Sequence, residues 1–267
     1  MNSEIAVYVM SCDKTADVAS IFVQSFRNYW AACSYKIFFG INRIDNHLKN
    51  FPAELIKCEP SNWRKETLVQ IDTIRNSEKQ VSHLLVFLDD FIFSKNVDPS
   101  LLDSFLDDVV AHDIKYMGLI PNGDSVIAKA FLKGEKITIK PGICCHKIRK
   151  NHPYYTSLQV ALWDINYLYD CVERSSGIWN FETLHSDVPH YAVNKKIMHY
   201  KHIVEKGEWD FNAKSYCERN LGFFLPGNRK FRERSLKKVI RHQISKYILF
   251  PIFGYLFLQI RTKYKSK

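Results

Sequence analysis

Three short runs in the first ninety residues are apolar almost without interruption: Glu4–Met10 (EIAVYVM), Tyr35–Ile41 (YKIFFGI) and His83–Leu88 (HLLVFL). A strand with one buried face alternates apolar and polar residues, so continuous runs belong to strands covered on both sides. Segments of helical spacing separate them. Asp17–Tyr29 places Val18, Ile21, Phe22, Ser25 and Phe26 along one side, and Asn62–Ile74 does so with Leu68, Ile71 and Ile74. Strand, helix and strand in succession predict βαβ units: an α/β, Rossmann-like chain with a central, mostly parallel sheet flanked by helices. Ala53–Cys58 is a weaker strand, Leu101–Ala111 a helix and Lys115–Ile120 a further strand. Beyond these the pattern is less regular. Ile137–Ile139 and Leu158–Trp163 suggest short strands, Asp164 could cap a helix from Ile165 to about Val172, and Lys196–Val204 alternates as an edge strand would.

Open sheets of this kind bind ligands beyond the C-terminal ends of their strands. The first run closes on Ser11, Cys12 and Asp13, and the fourth strand on Asp89 and Asp90. Adjacent carboxylates repel one another and call for a metal or strong donors. A divalent ion, Mg²⁺ or Mn²⁺, bridging protein carboxylate and a diphosphate would answer that need. A capping role in the following turn is the equal alternative. Asp13 could meet a nucleotide base or ribose, or cap the helix after it. Glu182 lies between Phe181 and Thr183, with Trp179 nearby; apolar rings beside a carboxylate raise its pKa toward a general base's range, whereas a surface glutamate needs no such role. Arg64 and Lys65 open a helix and face either phosphates or solvent. His202 could be a late-strand metal ligand or structural, and Lys206-Gly207 a flap over a diphosphate or a plain turn. Trp163 could be a sugar platform or core.

Charge is distributed unevenly. The net charge is +10, yet residues 229–267 hold twelve Lys/Arg and one acid, Glu233, which leaves residues 1–228 near neutral. A nucleic-acid reader would carry its charge on the main domain, so no nucleic-acid partner is expected. In the tail, Leu236, Val239, Ile240, Ile244, Tyr247 and Ile248 form an apolar stripe among basic residues, and Pro251 and Gly254 interrupt the apolar stretch Tyr247–Ile260. That stretch is too short to cross a bilayer, which needs ~20 residues. It suits the interface of an anionic membrane, or packing on the main domain or on a partner. The chain therefore divides into a main domain, 1–228, and a basic amphipathic appendage, 229–267. Seven scattered cysteines, without metal-type spacing, and an N-terminus unlike a signal peptide predict a cytoplasmic protein. No GxxxxGK[ST], GxGxxG or GxSxG occurs, so P-loop, dinucleotide and α/β-hydrolase chemistry is unsupported.

Six segments taken in order, VMSCDKTADVASIFVQSFRNYW, YKIFFGIN, SNWRKETLVQIDTI, HLLVFLDDFIF, SLQVALWDINYL and SGIWNFETL, resemble bacterial GT-A-type glycosyltransferases of O-antigen and capsule biosynthesis. The likeness runs from about Ile5 to Gly207. It implies a GT-A-like fold with a donor half, about 1–125, and an acceptor half, about 126–228. It also implies a nucleotide-sugar donor, usually a UDP-sugar, bound near Ser11, Cys12, Asp13, Arg64, Asp89 and Lys206. Asp89 and Asp90 would occupy the place of the family's metal-binding aspartates, with His202 as a further ligand to Mn²⁺ or Mg²⁺; LDDF lacks the spaced Asp-x-Asp and leaves open which acid meets the metal. Glu182 falls where inverting members keep the acceptor-activating carboxylate, and Gln159, Trp163 and Trp179 would face the acceptor. The basic tail fits enzymes acting on undecaprenyl-diphosphate-linked saccharides, peripheral on the inner face of the plasma membrane. A metal-independent transferase and a non-catalytic membrane-surface or polyanion-binding protein are the alternatives.

Overall fold

The computed structural model describes residues 4–42, 48, 50–121, 132–152 and 154–232, with 240, 244 and 252–254 beyond them. The amphipathic segment expected after Phe231 falls almost wholly outside these residues. Along the chain the elements are β1 (Ile5–Met10), α1 (Ala16–Tyr29), β2 (Lys36–Ile41), β3 (Glu54–Lys57), α2 (Trp63–Ser77), β4 (His83–Leu88), β5 (Phe91–Phe93) and α3 (Pro99–Ala111). There follow β6 (Tyr116–Gly118), β7 (Lys133–Lys140), β8 (Ile143–Ile148), β9 (Ala161–Asp164), α4 (Ile165–Arg174), α5 (Ile178–Phe181) and β10 (Tyr191–Val193). Last come β11 (Tyr200–His202), β12 (Val204–Glu205), β13 (Glu208–Trp209) and α6 (Ala213–Tyr216).

Nine strands form one sheet in the order β3-β2-β1-β4-β9-β6-β10-β8-β7. The first four are mutually parallel; β9 runs against both β4 and β6, and β8 against both β10 and β7. With β6 and β10 parallel, all the strands but β9 and β8 share one direction, so the sheet is mostly parallel in sense.

The continuous apolar runs have a direct explanation. Side chains alternate across a strand, and in β1 Ile5, Val7 and Val9 join the core beneath α1 and α3, while Ala6, Tyr8 and Met10 join the one beneath α2 and α4. Both faces are covered, so a polar group on either must be paired, as the Tyr8 hydroxyl is with Gln70 Oε1 at 2.5 Å. Phe22, Phe26, Phe39, Phe87 and Phe93 fill the first core, with ring centroids 5.3–6.1 Å apart where they meet. Full burial of such a side chain contributes about 1.5–3 kcal/mol.

Local chemistry sets the helix starts. Asn62 accepts from the Lys65 N–H at 3.0 Å to open α2, Asp98 caps α3 with Pro99 at its first position, and Asp164 caps α4 by accepting from the Tyr167 N–H at 2.9 Å. Outside the main sheet, β5 pairs antiparallel with β11, placing Phe91 opposite His202, and β12 and β13 make a hairpin. Lys206 and Gly207 both have positive φ (56° and 80°), as a tight two-residue hairpin turn requires.

Candidate functional site

β1 and β4 are neighbours and end level, Met10 opposite Leu88, so the residues after each strand emerge side by side. Ser11 donates its hydroxyl to Asp89 Oδ2 at 2.5 Å. Asp89 is buried, 5% exposed, and burial first, then the neighbouring Asp90 charge, pushes its carboxyl up to about 7; hydrogen bonds from Ser11 and Thr15 oppose the rise. Asp89 is thus an internal strut for the β1 loop. That loop is braced further: the Cys12 carbonyl accepts from the Thr15 N–H at 2.9 Å, and the Asp13 N–H donates to Asn42 Oδ1 at 3.1 Å, at the end of β2. Asn42 Nδ2 in turn reaches Cys58 just past β3.

Asp90 points elsewhere. Its Oδ2 accepts from His202 Nε2 at 2.8 Å, and its backbone carbonyl accepts from the Ile203 N–H at 3.1 Å. The β5–β11 pairing creates this meeting, because it sets His202 across from the residue after Asp90. Burial pulls the imidazolium of His202 down, but the Asp90 hydrogen bond and charge, aided by Glu205 and Asp210, outweigh it and the net shift is upward. Asp90 Oδ1 is buried and has no hydrogen-bond partner in the protein.

Glu182 closes α5. Its carboxylate accepts from the Leu158 N–H, and its pKa is raised: burial is the main cause, the Asp90 charge adds, and Leu158 and His202 oppose. Asp90, His202 and Glu182 therefore lie within electrostatic reach, though drawn from the β4 end, β11 and α5. Beneath Glu182, Phe181 is sandwiched between Trp63 (5.3 Å) and Trp163 (5.7 Å).

The remaining site residues scatter. Trp163, expected to face an acceptor, is fully buried against Tyr116 (4.5 Å) and Phe181. The cause is β9's place between β4 and β6 in the sheet interior, which makes Trp163 core. Trp179 is 71% exposed on α5, and Gln159 is exposed with its N–H bonded to Ser157 Oγ at 3.2 Å. Arg64 Nε donates to the Glu173 carbonyl at 2.9 Å, tying α2 to the end of α4. Lys206 occupies the exposed tip of the β12–β13 hairpin. Thr15, Asn42 and the Leu158 N–H were not foreseen; Asn42 alone carried a signal, as the polar residue ending a buried strand. Nor was Arg229, assigned above to the appendage: it belongs to the folded part and pairs with Asp17 through Nε and Nη2 at 2.6 and 2.7 Å.

Among the described residues no group of three or more His, Cys, Asp and Glu side chains is arranged to hold a divalent ion unaided. An ion shared with a diphosphate needs only one or two protein carboxylates, and the unpartnered Asp90 Oδ1 offers one such ligand. Among the described residues no helix is long and apolar enough to cross a membrane.

No protein-family model matches the chain, and no curated protein matches it. Among solved structures it is similar to TarS of S. aureus, residues 1–349, in complex with UDP-GlcNAc: TM-score 0.48, 12% identity, with 77% of this chain and 60% of that chain covered. Two further TarS crystal structures give TM-scores of 0.43 at 11% and 12% identity, covering 74% of this chain and 36% and 59% of theirs. The chain thus spans less than two thirds of the length of these proteins.

Proposed function

We propose that the chain is a glycosyltransferase, moving a sugar from a nucleotide-sugar donor, a UDP-sugar, onto a lipid-linked saccharide of bacterial surface-polysaccharide synthesis. One observation carries the reading. At the C-terminal edge of the sheet, a carboxylate with a buried unpartnered oxygen, Asp90, lies within electrostatic reach of a second carboxylate of raised pKa, Glu182. The ordered likeness of six segments to GT-A-type enzymes supports it.

In this reading Asp90, with His202 beside it, faces the donor's diphosphate, and Asp89 holds the β1 loop through Ser11. A bound Mn²⁺ or Mg²⁺ held by Asp90 would supply Lewis-acid stabilisation of the departing diphosphate. Glu182 takes the proton of the acceptor hydroxyl as the acceptor oxygen bonds to the anomeric carbon. The bond to the diphosphate breaks with its electron pair leaving on the nucleotide, so the configuration inverts. The raised pKa of Glu182 makes it a stronger base than an ordinary surface glutamate. The Leu158 N–H holds it in place. Trp179, exposed one turn before Glu182, would stack on an acceptor sugar.

The acceptor class assigned is an undecaprenyl-diphosphate-linked saccharide, reached by peripheral attachment to the inner face of the plasma membrane through the basic segment after residue 232. The deciding experiment is a panel of nucleotide sugars assayed for slow hydrolysis with Mn²⁺ and with EDTA. Hydrolysis of a UDP-sugar only with metal is expected. Hydrolysis surviving EDTA would favour the metal-independent version, and none with any nucleotide sugar would overturn the assignment. Cosedimentation with anionic but not neutral vesicles tests the membrane part, and equal recovery on both would remove it.

A further inference from the structure

The Arg229 guanidinium makes four hydrogen bonds to three other residues. Nε and Nη2 grip the two carboxylate oxygens of Asp17 at 2.6 and 2.7 Å, and Nη2 also donates to the Lys14 carbonyl at 2.6 Å. Nη1 reaches the Gly207 carbonyl at 3.5 Å, and the guanidinium lies 5.7 Å from the Trp209 ring. Asn228 Nδ2 adds a second donor to Asp17 at 3.0 Å. The ion pair is well shielded, with side chains 14% and 11% exposed, so it is not a loose surface contact.

These contacts join two pieces of chain with different owners. Lys14 and Asp17 flank the start of α1, and Thr15 between them braces the loop whose Ser11 holds Asp89. Gly207 and Trp209 belong to the β12–β13 hairpin, whose base is fixed by the Ile203 N–H on the Asp90 carbonyl and the Asp210 N–H on the Ile203 carbonyl. One flank therefore leads to Asp89 and the other to Asp90 and His202. The neighbouring chain follows Arg229 into place. Trp209 donates its indole N–H to the Pro226 carbonyl and its backbone N–H to the Lys230 carbonyl, and it accepts from the Arg232 N–H. The Arg232 guanidinium pairs with Glu205. Residues 226–232 are a strap across both flanks, pinned by a fork-shaped donor that lysine cannot reproduce.

We infer that Asp17 and Arg229 are a positioning pair that fixes the spacing between the Asp89 flank and the Asp90–His202 flank, completing the pocket for a nucleoside diphosphate. The inference rests on the function proposed above for its ligand, but the bridge itself is independent of that ligand. Neither residue is catalytic; each acts through the groups it holds apart.

The 267-residue chain serves for the test, as wild type, Arg229→Gln, Arg229→Lys and the milder Asp17→Asn. Amide hydrogen exchange reads the bridge. Arg229→Gln should speed exchange at least fivefold in peptides covering 12–17 and 203–209 together, leaving β1 and β4 unchanged. UDP binding by calorimetry reads the pocket: about tenfold weaker for Arg229→Gln and Asp17→Asn, with Arg229→Lys in between because charge is kept and the fork lost. Faster exchange in only one of the two segments, or in neither, would overturn the bridge. Normal UDP affinity in both neutral variants would overturn its role in the pocket. A wild-type chain that does not bind UDP would sink the proposed function instead, and the exchange data would still judge the bridge.

Discussion

His202 Nε2 donates to Asp90 Oδ2 at 2.8 Å across a sequence separation of 112 residues. That contact separates the fates of two adjacent acids, one held by Ser11 of the β1 loop and the other by His202 of β11. The first prediction follows from the split. Asp90→Asn should abolish UDP-sugar hydrolysis and transfer while lowering the thermal midpoint only modestly, since the amide oxygen can still accept from His202 Nε2 although the charge of the pair is lost. Asp89→Ala removes the acceptor of Ser11 and should cost about 1–3 kcal/mol in urea unfolding. Wild-type turnover by Asp90→Asn would end the assignment of that residue.

Glu182→Gln keeps the shape and the Leu158 contact but cannot take a proton. Transfer should fall by roughly 10²–10⁴-fold, with UDP affinity unchanged by calorimetry. Unaltered transfer would discard Glu182 as base, and lost UDP binding would assign it to the donor instead.

Phe181 tests the foundation under that glutamate. It is fully buried between Trp63 and Trp163, so Phe181→Ala should destabilise the chain by about 3–5 kcal/mol in denaturant titration. A loss below about 1 kcal/mol would mean that the two indoles do not depend on it.

Stability should also track three histidines away from the site. Burial is the main force pulling the imidazoles of His146, His152 and His190 from 6.5 down to about 4. His190 donates Nδ1–H to the Tyr155 carbonyl at 2.8 Å and accepts the Tyr167 hydroxyl on Nε2 at 2.7 Å, an arrangement available only to the neutral ring. Unfolding returns each pKa to about 6.5, so between the two values the unfolded chain binds more protons. The stabilisation is complete above about pH 6.5 and is lost as pH falls through about 4, on the order of 3 kcal/mol per group. Urea midpoints at pH 7, 5.5 and 4.5 should fall in sequence; a flat series would contradict buried neutral histidines.

How much of this was legible follows from where the constraint acts. β1, β2 and β4 were visible because both of their faces are covered, leaving no room for polar residues among Val7, Tyr8, Phe38, Phe39 and Val86. β8, ICCHKI, went unread: it is half-buried and near the sheet edge, where His146 and Lys147 blur the pattern. The strand-end acids were visible as a pair, but their division of labour was not, because it depends on the distant pairing of β11 with β5. Trp163 shows the converse limit. An indole's composition is the same in a core and on a sugar platform, and only the position of β9 decides. Arg229 was hidden by its neighbours, one cation at the head of a basic run, and its partner Asp17 looked like an ordinary first-turn acid.

The parting of Asp89 and Asp90 takes place in the two-residue turn between β4 and β5, not through any difference between the side chains. Deleting one residue anywhere in His83–Leu88 would turn the alternating side chains of β4 to the opposite faces of the sheet or draw that turn out of level with Ser11. Evolution can therefore lengthen or shorten this strand only in steps of two without rebuilding its mouth.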